Sequence, residues 1–582
     1  MSVSQIWHSR FWVVLAVILV GALCLFVAYP GRMLFDTMFH LGRVDALAAH
    51  FLAGGGYPCR LYADSCAGLG YAAPLFYGDL FLIPVALLRA CGASLDVCFG
   101  AVLAEGAALS FAVMYGACGW FGLRARERLA CACFFLFAPS TMMMAFSYGQ
   151  VGMAFATAFL PCVVFPTLVL VTESGASARR LWEAAFLLAL GMTACVLSHV
   201  ITTVLAVLFV GALCLARLPI FFREPRRLAC FAAAAFATLG VTAWFWVPML
   251  EQWAAVDLLA FSSVRWTAAK GLFAGGPSVF GLLGDSFVWG LGLTPLLVDF
   301  CPEGWTWLPA LLQVNYDTFA VWGWLLAPLV WLLFRTGVLS RFGASPPWVR
   351  VAGWALLLLT LLAATPLALG VLAPLFGWIQ FPSRFFGLWT CLLAPLVACF
   401  AFRRCTASQR CLLGIAFLAA FLMVCVWPFN CRRVVLMELF PSVSGSAYSI
   451  GRGEYLPERF VRTFGVQPPP PEEEVVPWEW RGVAAWGSGP FALDVVDPRS
   501  SVVVPRFYYK GYAATLDGAP ILIRESGEGF VEAETAGRMG QLRVWYAGTA
   551  LQRASVWLSV AASIAVALLF LLARRRLRCF RA

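Results

Sequence analysis

Phe11-Trp12-Val13-Val14-Leu15-Ala16-Val17-Ile18-Leu19-Val20-Gly21-Ala22-Leu23-Cys24-Leu25-Phe26-Val27-Ala28-Tyr29 carries no charge. A bilayer core takes about 20 such residues as one helix, so this run predicts a membrane span. Where that helix leaves the bilayer, Phe35-Asp36-Thr37-Met38-Phe39-His40-Leu41-Gly42-Arg43-Val44-Asp45 gathers titratable side chains. Polar chemistry at that boundary, in so apolar a chain, points to a lipid-borne substrate.

The rest of the sequence extends the first reading. The chain is 62% hydrophobic, 15% aromatic and only 12% charged over 582 residues, too little polar surface for a soluble protein. Further apolar runs predict spans at about 95–118, 128–146, 150–172, 181–198, 200–216, 228–249, 316–334, 351–375, 385–403, 411–428 and 551–573, about twelve in all. The stretch 181–216 holds two short helices that pivot at Ser198-His199. The net charge of +11 comes from arginines flanking these spans. The positive-inside bias accounts for them and argues against a nucleic-acid partner. They fall on one side if the run 72–91 does not cross. Pro74, Gly78, Asp79 and Pro84 make that run re-entrant or interfacial. Both termini are then cytoplasmic, and the first span stays as an anchor, since Ala28-Tyr29-Pro30-Gly31 is a poor cleavage site.

The expected organisation is a multi-span membrane domain over 1–428, with external loops at 30–94 and 250–315. An external β-rich domain at 429–550 and a terminal span with a basic tail at 551–582 complete it. Pro468-Pro469-Pro470-Pro471-Glu472-Glu473-Glu474 reads as an extended linker. Alternating runs at Phe491–Val496, Ser501–Phe507, Ala519–Arg524, Gly529–Glu534 and Gln541–Tyr546, with a hairpin signal at Asp517-Gly518, predict a small antiparallel β-sandwich. Most of the twenty cysteines lie in spans as small hydrophobes. Cys59 and Cys66 lie in the first external loop and are either a disulfide or two free thiols.

A helix after Pro30 puts Asp36, His40 and Arg43 on one face through i+4 and i+3 spacing, with His50 returning near it and Asp45 opposite. Asp36 and His40 are the candidate catalytic pair, Asp36 as general base. Arg43 has the forked geometry for a phosphate. The plainer alternative is that Asp36 caps the helix and Arg43 snorkels to headgroups. Glu105, mid-span, needs a cavity, a partner or a proton. His199, Glu251 and Arg384 are further candidates for binding substrate or phosphate, Arg384 because it stands against the prevailing arginine bias. Ser147-Tyr148-Gly149-Gln150, facing outward, holds no acid. No metal motif is evident; a divalent ion stays open as a cofactor, with Asp36 as its candidate ligand.

Asp36–His40, Gly68–Tyr77, Leu197-Ser198-His199, Phe245–Glu251, Phe381-Pro382-Ser383-Arg384-Phe385, Glu454-Tyr455-Leu456-Pro457 and Phe507–Gly518, in that order, resemble one bacterial subgroup of the GT-C superfamily. It is usually labelled 6-pyruvoyl-tetrahydropterin-synthase-related membrane protein; no pterin chemistry follows from the label. The resemblance implies an integral inner-membrane glycosyltransferase. Its donor would be a polyprenyl-phosphate-linked sugar and its acceptor a cell-envelope glycan or lipid, with membrane lipids around it. It places the first-loop acid at Asp36. Many GT-C members carry another acid in the second external loop, where this chain has Gly149-Gln150. That departure favours the alternative of a non-catalytic carrier of lipid-linked glycans; an envelope-assembly protein, with the β-domain as docking module, is a further alternative.

Overall fold

Helices that are apolar on every face set the architecture. The structure, a computed structural model, describes residues 36–66, 68–142, 144, 149–259, 329–333, 335–336, 342–364, 382–417, 454–464 and 491–579. Among these residues four helices are long and apolar enough to cross a membrane: Leu95–Phe121, Val151–Thr172, Phe386–Arg404 and Ala550–Leu571. Pro225–Val241 with Ala243–Ala255 adds a fifth if that bent pair is one span. Twelve spans are not reached among the described residues. The expected span at 11–29 lies outside them, as do parts of several others, 316–334 included. The 181–216 stretch divides as expected, with His199 as the N-cap of Val200–Ala216 after Ala178–Val196 ends. The 72–91 run is broken. Pro74 and Pro84 sit in the first turns of Ala73–Phe76 and Ile83–Ala90, with Leu80–Leu82 as a short 3₁₀ turn between.

The chain divides into two compact units. One contains Val102–Thr238 and Thr267–Phe440. Its core is helical, with Phe111, Phe135, Phe165, Leu188, Trp389 and Leu392 in one buried cluster. Helix contact here depends on Gly191, where an added Cβ would sit 2.8 Å from the backbone of Cys162. Arginines in the first turns of helices satisfy carbonyls that other helix ends leave open. The buried Arg227 donates to the carbonyls of Leu170 at 2.8 Å and Glu173 at 2.5 Å, and Arg180 to that of Trp120 at 2.7 Å.

The other unit contains Phe35–Ala101, Leu239–Trp266 and Pro441–Ala582. Its strands are β1 (Phe491–Val495), β2 (Ser501–Phe507), β3 (Tyr512–Leu516), β4 (Ala519–Ile521), β5 (Ile523–Glu525), β6 (Phe530–Glu534) and β7 (Gly540–Tyr546). They form antiparallel sheets ordered β1-β7-β3-β4 and β2-β6-β5. Phe491, Val504, Leu516, Val531 and Leu542, from both sheets, share one core, which gives the sandwich. Asp517 and Gly518 take φ of 49° and 80°, as a tight hairpin between β3 and β4 requires. The expected strand over Ala519–Arg524 breaks at the exposed Leu522, and its halves join different sheets.

The first-loop segment belongs to the same unit as the sandwich. Phe507 N donates to Leu69 O at 2.8 Å, Tyr509 Oη donates to Tyr455 O at 2.9 Å, and Phe76 stacks on Tyr455 at 5.1 Å. The C-terminal helix Ala550–Cys579 docks on the start of Ala243–Ala255, where Trp244 N donates to Ser559 Oγ at 2.8 Å.

Candidate functional site

The helix Thr37–Leu52 places Asp36, His40 and Arg43 along one edge, but the three differ in environment. Asp36 is the N-cap residue and is exposed, and its side chain makes no cap hydrogen bond. His40 is buried, with Nδ1 3.1 Å from Arg43 Nη1 and its ring edge-on to Phe39 and Tyr77.

Arg43 departs from the expected phosphate ligand. It is only 2% exposed. Its guanidinium lies 4.4 Å over the Tyr77 ring and donates to the carbonyls of Tyr77 at 3.1 Å and Gly78 at 2.7 Å. It also pairs with Asp79 at 3.4 Å, and Tyr62 Oη donates to the same carboxylate at 2.8 Å. Burial pushes the Asp79 carboxyl above the usual carboxylate range, against the pull of Arg43 and Tyr62. The arginine is thus a buried clamp on the broken 72–91 run. The cost of Asp79 in an apolar setting was the signal for this partner: a buried acid of that kind requires a cation.

Glu251 departs likewise. It accepts from Thr549 Oγ1 at 2.7 Å and pairs with Lys510 at 3.6 Å, tying its helix to the sandwich and the C-terminal helix. Cys59 and Cys66 are buried and unbridged, and Cys59 Sγ donates to Leu61 O at 3.4 Å. Burial raises both thiols well above their ordinary range.

In the helical unit, His199 caps Val200–Ala216 by accepting from Thr202 N at 3.2 Å, and Nδ1 lies 2.8 Å from Thr202 Oγ1. Burial first, then the positive charge of Arg384, holds this imidazole well below its ordinary range. The two candidates on this side are therefore electrostatic neighbours. Arg384 sits half-buried in the turn Pro382–Phe385 that leads into Phe386–Arg404. Glu105 is half-buried within Leu95–Phe121. Its neighbour Gly106, with Ser110 and Thr141, lines a cavity of about 30 Å³, room for about one water. Gln150 precedes Val151–Phe159, and Ser147 and Tyr148 lie outside the described residues. Among the described residues no group of three or more His, Cys, Asp or Glu is placed to hold a metal.

No family model matches the chain, and no curated protein does. Among solved structures, the cryo-EM structure of the arabinofuranosyltransferase AftD from Mycobacteria overlaps 74% of this chain at 15% identity and a TM-score of 0.37. This chain spans only 28% of AftD's length. The crystal structure of ArnT from Cupriavidus metallidurans, bound to undecaprenyl phosphate, overlaps 77% of this chain and 86% of its own at 14% identity and a TM-score of 0.32. Overlaps this slight show neither a family nor a function for the chain.

Proposed function

We propose that this chain is a GT-C-type membrane glycosyltransferase that moves a sugar from a polyprenyl-phosphate carrier to a cell-envelope acceptor on the outer face of a bacterial inner membrane. The observation that carries the reading is Asp36, an exposed carboxylate at the start of the helix Thr37–Leu52. The buried His40–Arg43–Asp79 group holds the helix behind it. In the proposed step Asp36 takes the proton of an acceptor hydroxyl. That oxygen bonds to the sugar's anomeric carbon as the bond from carbon to phosphate oxygen breaks. The polyprenyl phosphate leaves with the electron pair, and the configuration inverts. Arg384, with the neutral His199 beside it, is the candidate to stabilise the leaving phosphate. His40 and Arg43 act as positioning residues.

The test is Asp36→Asn in a strain lacking the native copy, read by surface-glycan profiling. Lost glycan at normal protein level is expected; unchanged glycan at that level overturns the role. A second reading, a carrier that moves lipid-linked glycan without transferring sugar, is favoured by Gln150, an amide where many GT-C members have an acid. Purified protein that flips a labelled polyprenyl lipid with no sugar transfer would establish it.

A further inference from the structure

The unit that holds the sandwich contains an open groove of about 450 Å³, within the size range of small-ligand sites. Its walls come from the first loop (His50, Arg60), the sandwich (Arg506, Tyr512) and the first turn of the C-terminal helix (Arg553). Among the described residues, no aspartate or glutamate lines it. Two donors there lack acceptors among the described residues. Arg60 Nη1 donates to Trp244 O at 2.8 Å, but its Nη2 is buried with no hydrogen-bond partner, and so is Tyr512 Oη. Arg506 is 5% exposed and donates to Pro505 O at 2.8 Å. Arg553 Nη1 donates to Gly548 O at 3.1 Å and Ala547 O at 3.3 Å, and this exposed residue lines the groove. The charges of Asp64 and Asp79 act on Arg506 and Arg60 respectively. A desolvated guanidinium with an unused N–H and no carboxylate on its wall is costly unless an anion meets it.

We infer that this groove is a binding site for a phosphate ester, held by Arg60 and Arg553 with the Tyr512 hydroxyl, with Arg506 adding positive charge to the lining. Forked guanidinium donors match phosphate oxygens, and more than one around a groove suits a doubly charged group. The site stands on the groove's own geometry and does not depend on glycosyl transfer.

The test uses the full-length protein in neutral detergent and in nanodiscs, with native mass spectrometry as the readout. Glycerol 1-phosphate probes a soluble ester; phosphatidic acid in a phosphatidylcholine nanodisc probes a lipid headgroup. Adducts with the first, the second or both support the site and identify its source. Arg60→Gln should weaken them by about tenfold or more, the loss of one charge-assisted bond. Arg553→Gln, at the rim and free of core packing, should act in the same direction if Arg60→Gln fails to fold. Arg89→Gln, whose polar partners among the described residues are Asp45 and Ala93, away from the groove lining, should leave adducts unchanged. Absence of adducts from both probes, or adducts indifferent to both groove substitutions, overturns the inference.

Discussion

Breaking the Arg43–Asp79 pair from either side should give two different pH profiles. With Arg43→Met, Asp79 stays buried at 3% exposure with only Tyr62 as donor. A carboxyl in that position takes a proton. Holding it neutral at about pH 7 costs up to about 1.4 × (7 − 3.9), or about 4 kcal/mol, falling to about 1.5 kcal/mol at about pH 5. The sign follows from linkage. The folded pKa is raised further above the unfolded one, so this group's contribution is fully present below about pH 3.9 and is lost as pH rises toward the folded value. With Asp79→Asn, the guanidinium has no proton to give up. It keeps the Tyr77 and Gly78 carbonyls and the Tyr77 ring, which puts the cost at the low end for a broken buried pair, about 3 kcal/mol, with little pH dependence.

Alkylation of Cys59, two residues from the Leu61 carbonyl it bonds, reports opening of this loop because the folded thiol is buried. Comparing variant with wild type at each pH cancels the thiol's own chemistry. Asp79→Asn should speed labelling about 150-fold at both pH values, and Arg43→Met about a thousandfold at about pH 7 but only about tenfold at about pH 5. The double variant, in which the Asn amide oxygen still accepts from Tyr62, should cost less than the sum of the two singles. An Arg43→Met effect equal at both pH values, or strict additivity, would refute the assignment of Arg43 as a buried counter-ion.

Two further outcomes follow from the helical unit. Gly191→Val drives a side chain into the Cys162 backbone and should destabilise by about 1–3 kcal/mol, read as a lower melting midpoint in detergent. Arg403→Gln strips the bidentate partner, at 2.6 and 2.9 Å, from the buried Glu127, whose carboxyl Arg403 holds below its ordinary range. With Arg403 43% exposed, the cost is about 1 kcal/mol. It should be present at neutral pH, above the unfolded Glu value, and vanish as pH falls through the folded one; an unchanged midpoint difference on acidification would contradict it.

Periodicity and punctuation carried much of the fold. The two-helix division at His199, the broken 72–91 run and the Asp517-Gly518 hairpin follow from local rules: span length, proline placement and positive φ. What local rules miss is pairing across the chain. The i+3 and i+4 spacing put Asp36, His40 and Arg43 on one edge but carried no information on what covers each. Arg43 is consumed by Asp79, 36 residues on, and Glu251 by Lys510 and Thr549, far beyond. The strand Tyr512–Leu516 escaped because Ala513-Ala514 weakens the alternation, and its place between β4 and β7 is set by tertiary contact. The arginines of the groove left no local trace, since Arg60 and Arg506 are 446 residues apart and meet only through the fold.

The short motifs behind the GT-C resemblance gain physical meaning from where they meet. Gly68–Tyr77 supplies Leu69 O to Phe507 N, and Phe76 to Tyr455. Glu454–Pro457 supplies Tyr455 O to Tyr509, and Leu456 O to Leu259 N. Phe245–Glu251 supplies the carboxylate that pairs Lys510. These segments form the contacts that hold the first loop, the sandwich and the C-terminal helix as one unit, with Asp36 on that unit's exposed helix start. Leu197–His199 and Phe381–Phe385 belong to the other unit and approach each other there as His199 and Arg384. The motifs therefore divide into a set that builds the scaffold behind one exposed acid and a set that places one cation beside a neutral imidazole. For the proposed transfer, substitutions in the first set should lower protein level or loop stability, whereas Arg384→Gln should leave both intact and lower glycan output alone. Equal loss of protein from both sets would mean that Arg384 is scaffold too, and the phosphate side of the proposed mechanism would fall with it.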